Sequence, residues 1–248
     1  MKTGPHTEHT KSQLSDSDCD INTGNRLFAI EKEGRHHQNF DLEGFMKSKY
    51  EFPIKDTTSN PGPLGLFGFG LTTFLLNLHN VGAYPLNSAI LAMGLCYGGF
   101  AQIIAGLFEW HKNKIFTSVV FISYGTFWWS LCLIFMLPEM GIATATDKVG
   151  MGWYLFIWGF ISLGFLICSL KKPRIVFLIF LTLVPLFWLL AIENWADNKT
   201  VGKIAGADGI VCALLAIYAG LAEIINETFG RTILPMGIPK VIETKYKT

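Results

Sequence analysis

Six long apolar runs leave this chain few folds to choose from. They lie at roughly 61–79, 87–108, 116–137, 151–170, 175–192 and 204–224. Each has about the 17 to 25 residues that an α-helix needs to cross the hydrocarbon layer of a bilayer. A transmembrane barrel would instead show segments of about ten residues alternating apolar and polar, whereas these runs are apolar on every face. With 50% hydrophobic residues and a mean hydropathy of +0.37, the chain carries more apolar surface than one soluble core can bury. The reading is an all-α membrane protein with six transmembrane helices.

The remaining composition narrows the partners. A net charge of +1, with Lys and Arg scattered between the apolar runs, lacks the basic cluster that neutralises phosphates, so no nucleic acid is expected and the solvent is the lipid bilayer. Cys96, Cys132, Cys168 and Cys212 sit inside apolar runs without a close-spaced pair, and Cys19 lies near the N-terminus. That pattern suits neither a disulfide framework nor a metal site, and no cofactor is implied. No nucleophile elbow, phosphate loop, dinucleotide fingerprint or His-Glu-x-x-His motif is present, and the links between runs are too short for a catalytic domain, so no enzyme is expected. The first 25 residues lack the apolar core of a signal peptide.

Residues 1–59 are polar and mixed in charge, and read as a largely disordered cytoplasmic tail with room for a short amphipathic helix near Phe40 to Tyr50. Residues 60–226 form the membrane domain and 227–248 a C-terminal tail. Asn60 suits the cap of the first helix and Pro61 its first turn. Pro138 closes the third helix, and Pro185 falls inside the fifth, where it frees a backbone carbonyl and bends the helix. The short link containing Lys171, Lys172 and Pro173 makes helices four and five antiparallel neighbours. About ten Lys and Arg flank the helix ends on the N-terminal side, Lys112, Lys172, Arg174 and Arg231 among them, against about three opposite, Lys148, Lys199 and Lys203. Both termini are therefore expected in the cytoplasm.

Several groups stand out. On the first helix Phe69, Thr73, Asn77 and Asn80 recur at steps of four, four and three, so they share a face, with Thr72 and several glycines beside them. Such a stripe serves a conduction path, or it bonds neighbouring helices together; both readings stay open here. His79, near the outer end, either answers pH or bonds a carbonyl. Glu109 and Glu223 close the similar segments Ile103 to Glu109 and Ile217 to Glu223, where solvation is the plain reading, and Glu223 can also pair with Arg231 or line a vestibule. Asp208 falls in the first turn of the sixth helix, where a carboxylate suits the dipole. Tyr124, followed by Phe127, Trp128 and Trp129, makes the third helix aromatic, as packing or belt residues usually do. Asn198-Lys-Thr200 matches a glycosylation acceptor. The pairs Gly94 with Gly98 and Gly202 with Gly206 allow close contacts, within a protomer or between protomers. No Lys or Arg lies deep in any run, so an anionic solute depends on amide, hydroxyl and backbone donors.

The stretch Asn60-Pro-Gly-Pro-Leu-Gly-Leu-Phe-Gly-Phe69 resembles the acetate uptake transporter family, which includes the bacterial succinate-acetate permease and fungal acetate transporters. The likeness continues through Thr72 to Gly82, Tyr97-Gly-Gly99, Ala105-Gly106, Ser123-Tyr-Gly-Thr-Phe-Trp128 and the stretch from Ala216 to Pro235, covering about residues 60–237. It implies a six-helix protomer in a plasma-membrane homohexamer, with one pore per protomer for acetate, succinate and related small carboxylates, acting as anion channel or proton symporter. It implies a hydrophobic constriction at Phe69, Tyr124 and Leu183 and a substrate pathway along Thr72, Thr73, Asn77, Asn80 and Ala216. On their own chemistry, and not from the resemblance, His79 and Glu223 are the candidates for a proton-linked role. Gly62 is a departure from the family pattern, which commonly has Ala or another small apolar residue there, and Pro185 with Trp188 is a second departure. The rival readings are a non-transporting membrane sensor or assembly protein, and a pore for another small solute such as ammonia or formate.

Overall fold

A computed structural model of the chain describes residues 59–237. The expectations for residues 1–58, the amphipathic helix near 40–50 included, and for 238–248 lie outside the described residues.

The described residues fold into six helical rods without a strand: α1 (Gly62–Asn80), α2 (Ser88–His111), α3 (Ile115–Glu139), α4 (Lys148–Ser169), α5 (Arg174–Ala196) and α6 (Lys199–Thr228). Five of them, α2 to α6, are long and apolar enough to cross a membrane. The 19-residue α1 is not among them, because glycines, Thr72, Thr73, Asn77 and His79 dilute its apolar residues. This helix hides its polar groups against protein instead: Thr72, Thr73 and Asn77 are all buried, and its main neighbours are α6 and α2.

Polar side chains cap three of the six helix starts. Asn87 accepts hydrogen bonds from the Ala89 and Ile90 N–H groups to begin α2, Asp147 accepts from Gly150 N (2.7 Å) to begin α4, and Asn198 accepts from Thr200 N (3.0 Å) to begin α6. The glycosylation-type Asn198 thus serves as a cap. Because α6 begins at Lys199, Asp208 lies about three turns inside the helix rather than in its first turn, which corrects its expected role at the dipole. At α1 the cap position itself falls on Pro61, while Asn60 Oδ1 accepts from Gly62 N at 3.1 Å. Pro138 sits in the last turn of α3, which ends one residue later at Glu139. The α5 helix runs through Pro185 without a break.

One helix departs from regular geometry. Within α2, residues Gly94–Ala101 form a π-helical segment between two α-helical pieces, ending just before Gln102. Side chains of α3 occupy carbonyls beside and within it: Trp129 Nε1 donates to Leu95 O at 3.0 Å and Cys132 Sγ to Leu91 O at 3.5 Å.

Both glycine pairs act inside the protomer. A side chain at Gly98 would meet Thr72 and Trp128 at 2.9 Å, and one at Gly94 would meet Cys132 Sγ at 2.5 Å, so they bring α2 against α1 and α3. Gly202 faces the Glu193 carboxylate of α5, and Gly206 faces the Val81 backbone at the end of α1. The α4 and α5 helices pack as neighbours, joined by ring pairs such as Trp153 with Trp195 at 5.1 Å.

Candidate functional site

Tyr124 of α3 lies at the centre of the bundle, 2% exposed, in a cage of rings from three other helices. Phe69 of α1 lies 5.6 Å away between centroids, Trp158 and Phe165 of α4 at 6.2 and 5.9 Å, and Phe180 and Phe187 of α5 both at 6.4 Å. Ser162 Oγ donates to the Trp158 carbonyl one turn back (2.7 Å), which uses its single proton. The Tyr124 O–H therefore donates to Ser162 Oγ, at 2.8 Å. Ring packing and this bond together hold the phenol in one orientation.

A cavity of about 180 Å³ runs from one end of the bundle to this aromatic centre. Its mouth is polar: Asn60, Glu109, Lys114, Lys172 and Glu223 surround it. Its walls are largely apolar, with Leu66, Phe116, Val120, Phe121, Val176 and Ile179 among them. Phe69, Tyr124 and Leu183 all line it. Counting 1.5 Å per residue from the nearest helix ends places these three roughly 10 to 14 Å deep, about half of a hydrocarbon layer. The structure thus brings together the three residues expected at the constriction, on one cavity.

The mouth is internally paired. Lys114 Nζ lies 3.4 Å from Glu109 Oε2, and Glu109 is only 1% exposed, so this carboxylate is ion-paired within the protein rather than merely solvated. Asn60 Nδ2 donates to Glu223 Oε2 at 2.8 Å, which makes Asn60, and not Arg231, the partner found for Glu223. Gly62 makes room for that bond, since a side-chain carbon there would sit 2.6 Å from Glu223 Oε2. Lys172 rests over the Phe116 ring at 5.0 Å. The two similar segments ending in Glu109 and Glu223 therefore converge on one vestibule.

The other expected pathway residues lie elsewhere. Thr72 donates back to Gly68 O (2.7 Å) and packs on Gly98 of α2; Asn77 donates to Thr73 O (2.8 Å) and lies against Gly209 of α6; Asn80 donates to Asn77 Oδ1 (3.0 Å). Ala216 is fully buried. None of Thr72, Thr73, Asn77, Asn80 and Ala216 lines the cavity, and the four on α1 lie beyond Phe69 as seen from the mouth. His79 is farther still, and its Nδ1 bonds the Tyr84 carbonyl at 2.9 Å, while Tyr84 Oη donates to Leu75 O at 2.7 Å.

As site residues, Gln102, Lys172 and Ser162 were not singled out from the sequence. Gln102 lines the cavity and is fully buried, with neither amide atom hydrogen-bonded to protein. The available signal was a glutamine within an otherwise apolar run seven residues before Glu109, hence on the same helix face.

Comparison with known proteins gives a consistent result. A model of the GPR1/FUN34/yaaH family matches residues 42–238. The succinate-acetate/proton symporter SatP of Escherichia coli strain K12 is 48% identical over 179 residues, spanning 72% of this chain and 95% of that relative. Acetate permease A of Emericella nidulans is 31% identical over 195 residues, covering 72% of this chain and 65% of its own length. The solved structure of the bacterial acetate channel SatP superposes with a TM-score of 0.72 at 47% identity, over 73% of this chain and 99% of that one.

Proposed function

The chain belongs to the GPR1/FUN34/yaaH family and is a multi-pass membrane protein, and from that premise we propose that it carries acetate, succinate and related small carboxylates across the membrane. In this reading α1 completes a set of six spans, each protomer of a homohexamer holds its own pore, and both termini face the cytoplasm. Transport rather than catalysis is what the relatives' names point to. The observation that carries the reading is the cavity that leads from the polar mouth to Phe69, Tyr124 and Leu183. A solute entering there meets Lys114 and Lys172, which favour an anion at the mouth, and then an apolar passage where it must shed water. Phe69, Tyr124 and Leu183 are the narrowing, and Thr72, Thr73, Asn77, Asn80 and Ala216 line the continuation on its other side. His79 and Glu223 are the groups assigned to proton linkage.

Purified protein in sealed liposomes, given labelled acetate with and without a pH gradient, tests transport and coupling together. Flux that responds to the gradient supports symport, and flux indifferent to it supports a channel. Absence of any carboxylate flux would favour a sensor or assembly role, and ammonia or formate outcompeting acetate would name a different permeant.

A further inference from the structure

We propose that Gln102 binds the carboxyl group of the permeant at the level of the narrowing, and binds it best in the protonated form. The assignment rests on the carboxylate-pathway reading above. Gln102 lies about 14 Å from the end of α2, level with Tyr124 and Leu183, where the π-helical segment hands over to α-helix. Its side chain is completely buried on the cavity wall, yet Nε2 and Oε1 make no hydrogen bond to protein. Buried amides are nearly always paired, and one left open beside a cavity points to a ligand. Directly behind it α1 presents Gly68, whose missing side chain leaves the Gln102 stem in place: a carbon there would sit 3.3 Å from Gln102 Cβ.

The chemistry of the amide selects the form it binds. One terminal atom donates and the other accepts, whichever way the group is turned. An ionised carboxylate offers acceptors only, so it can satisfy Nε2 while setting its second oxygen against Oε1. A protonated carboxyl offers one acceptor and one donor, and closes both bonds at once. The Gln102 amide itself carries no charge to compensate an anion. The titratable groups facing the cavity are Glu109 from α2, Lys114 and Tyr124 at the start and middle of α3, Lys172 from the α4–α5 link and Glu223 from α6, while α1 and α5 contribute none. Gln102 is hydrogen-bonded to none of them. A neutral acid also costs less to bring against Phe69 and Leu183 than an anion does.

The test compares wild type with Gln102→Leu in sealed liposomes, subtracting acetate entry into protein-free liposomes, at mildly acidic and neutral pH. Two competitors separate the forms: acetamide, neutral with a donor and an acceptor, and trifluoroacetate, shaped like acetate but ionised throughout. Loss of two hydrogen bonds predicts a drop in protein-dependent flux of roughly tenfold for Gln102→Leu. Its melting temperature should equal or exceed that of wild type, because an apolar side chain replaces an unpaired buried amide. Acetamide should inhibit wild type but not the variant, and trifluoroacetate should compete poorly with either. Wild-type flux in a folded variant, or a variant that melts lower because the amide had a structural partner, overturns the assignment. Trifluoroacetate competing as well as acetate with wild type overturns the protonated form, without need of any variant. If wild type itself carries no acetate, the transport reading fails and this one with it; normal wild-type flux with an unaffected variant removes this one alone.

Discussion

Two contacts hold Tyr124 at the centre of the bundle, and they can be separated. Tyr124→Phe keeps the ring among Phe69, Trp158, Phe165, Phe180 and Phe187 and deletes only the bond to Ser162. Ser162 keeps its own bond to the Trp158 carbonyl, so the expected cost is about 1 kcal/mol in a thermal melt, with acetate flux largely retained if the ring makes the narrowing. Phe69→Ala acts oppositely. It removes a large ring that lines the cavity, and should raise flux of labelled acetate and admit bulkier acids; unchanged size selection in liposomes would argue against a narrowing at Phe69. The polar stripe on α1 carries a different lesson. Thr72, Asn77 and Asn80 are spent on hydrogen bonds along their own helix, which nothing in a list of residue types reveals.

Helices here approach one another through glycines, and the same substitution should change sign with location. Gly98→Ala drives a carbon to within 2.9 Å of Thr72 and Trp128, and should destabilise the bundle by roughly 1 to 3 kcal/mol as α1, α2 and α3 are forced apart. Gly164→Ala, on an exposed turn of α4 with nothing within 4 Å, should gain up to about 1 kcal/mol from helix propensity. Thermal unfolding of both variants in one detergent measures the contrast. At the opposite end from the cavity mouth, Asp197 caps α5 in a left-handed turn, and Lys148 at the start of α4 pairs with it. The hydrogen bond from Lys148, then its charge, holds the Asp197 carboxyl below its ordinary range. The stability this pair contributes is therefore complete above the pKa of the unfolded carboxyl, about 4, and is lost as pH falls through the lower folded value. Lys148→Ala should melt slightly below wild type at neutral pH, and match it once the carboxyl is protonated or salt is high. Capping residues such as Asn87 and Asp147 were open to sequence reading in kind; the early start of α6 at Asn198 was not read, because the polar first turn hid it from hydropathy.

Across the whole molecule, the chain closes on itself beside the cavity mouth. After α6, Asn226 binds the backbone of Ile233 and Leu234, Tyr218 Oη donates to Pro235 O at 2.9 Å, and the first N–H groups of α5, Arg174 and Ile175, donate to Gly237 O and Met236 O. Asn226→Ala should release this strap, and hydrogen exchange at Arg174 and Ile175 should quicken by roughly tenfold, since those amides lose the Gly237 and Met236 carbonyls as acceptors. Unchanged protection would mean that other contacts hold the strap. The apolar runs alone determined an all-helical membrane protein and, through residue spacing, the common face of Phe69 and the stripe behind it, because in a bilayer the backbone must satisfy itself within each helix. Motif likeness supplied Tyr124 and Leu183 as candidates for the narrowing. Only the tertiary structure decided that Phe69, Tyr124 and Leu183 share one cavity, that Glu109 and Glu223 converge at its mouth, and that Gln102 stands there unpaired. Those relations join helices far apart in sequence, and they depend on which face each helix turns inward, which a uniformly apolar run does not encode.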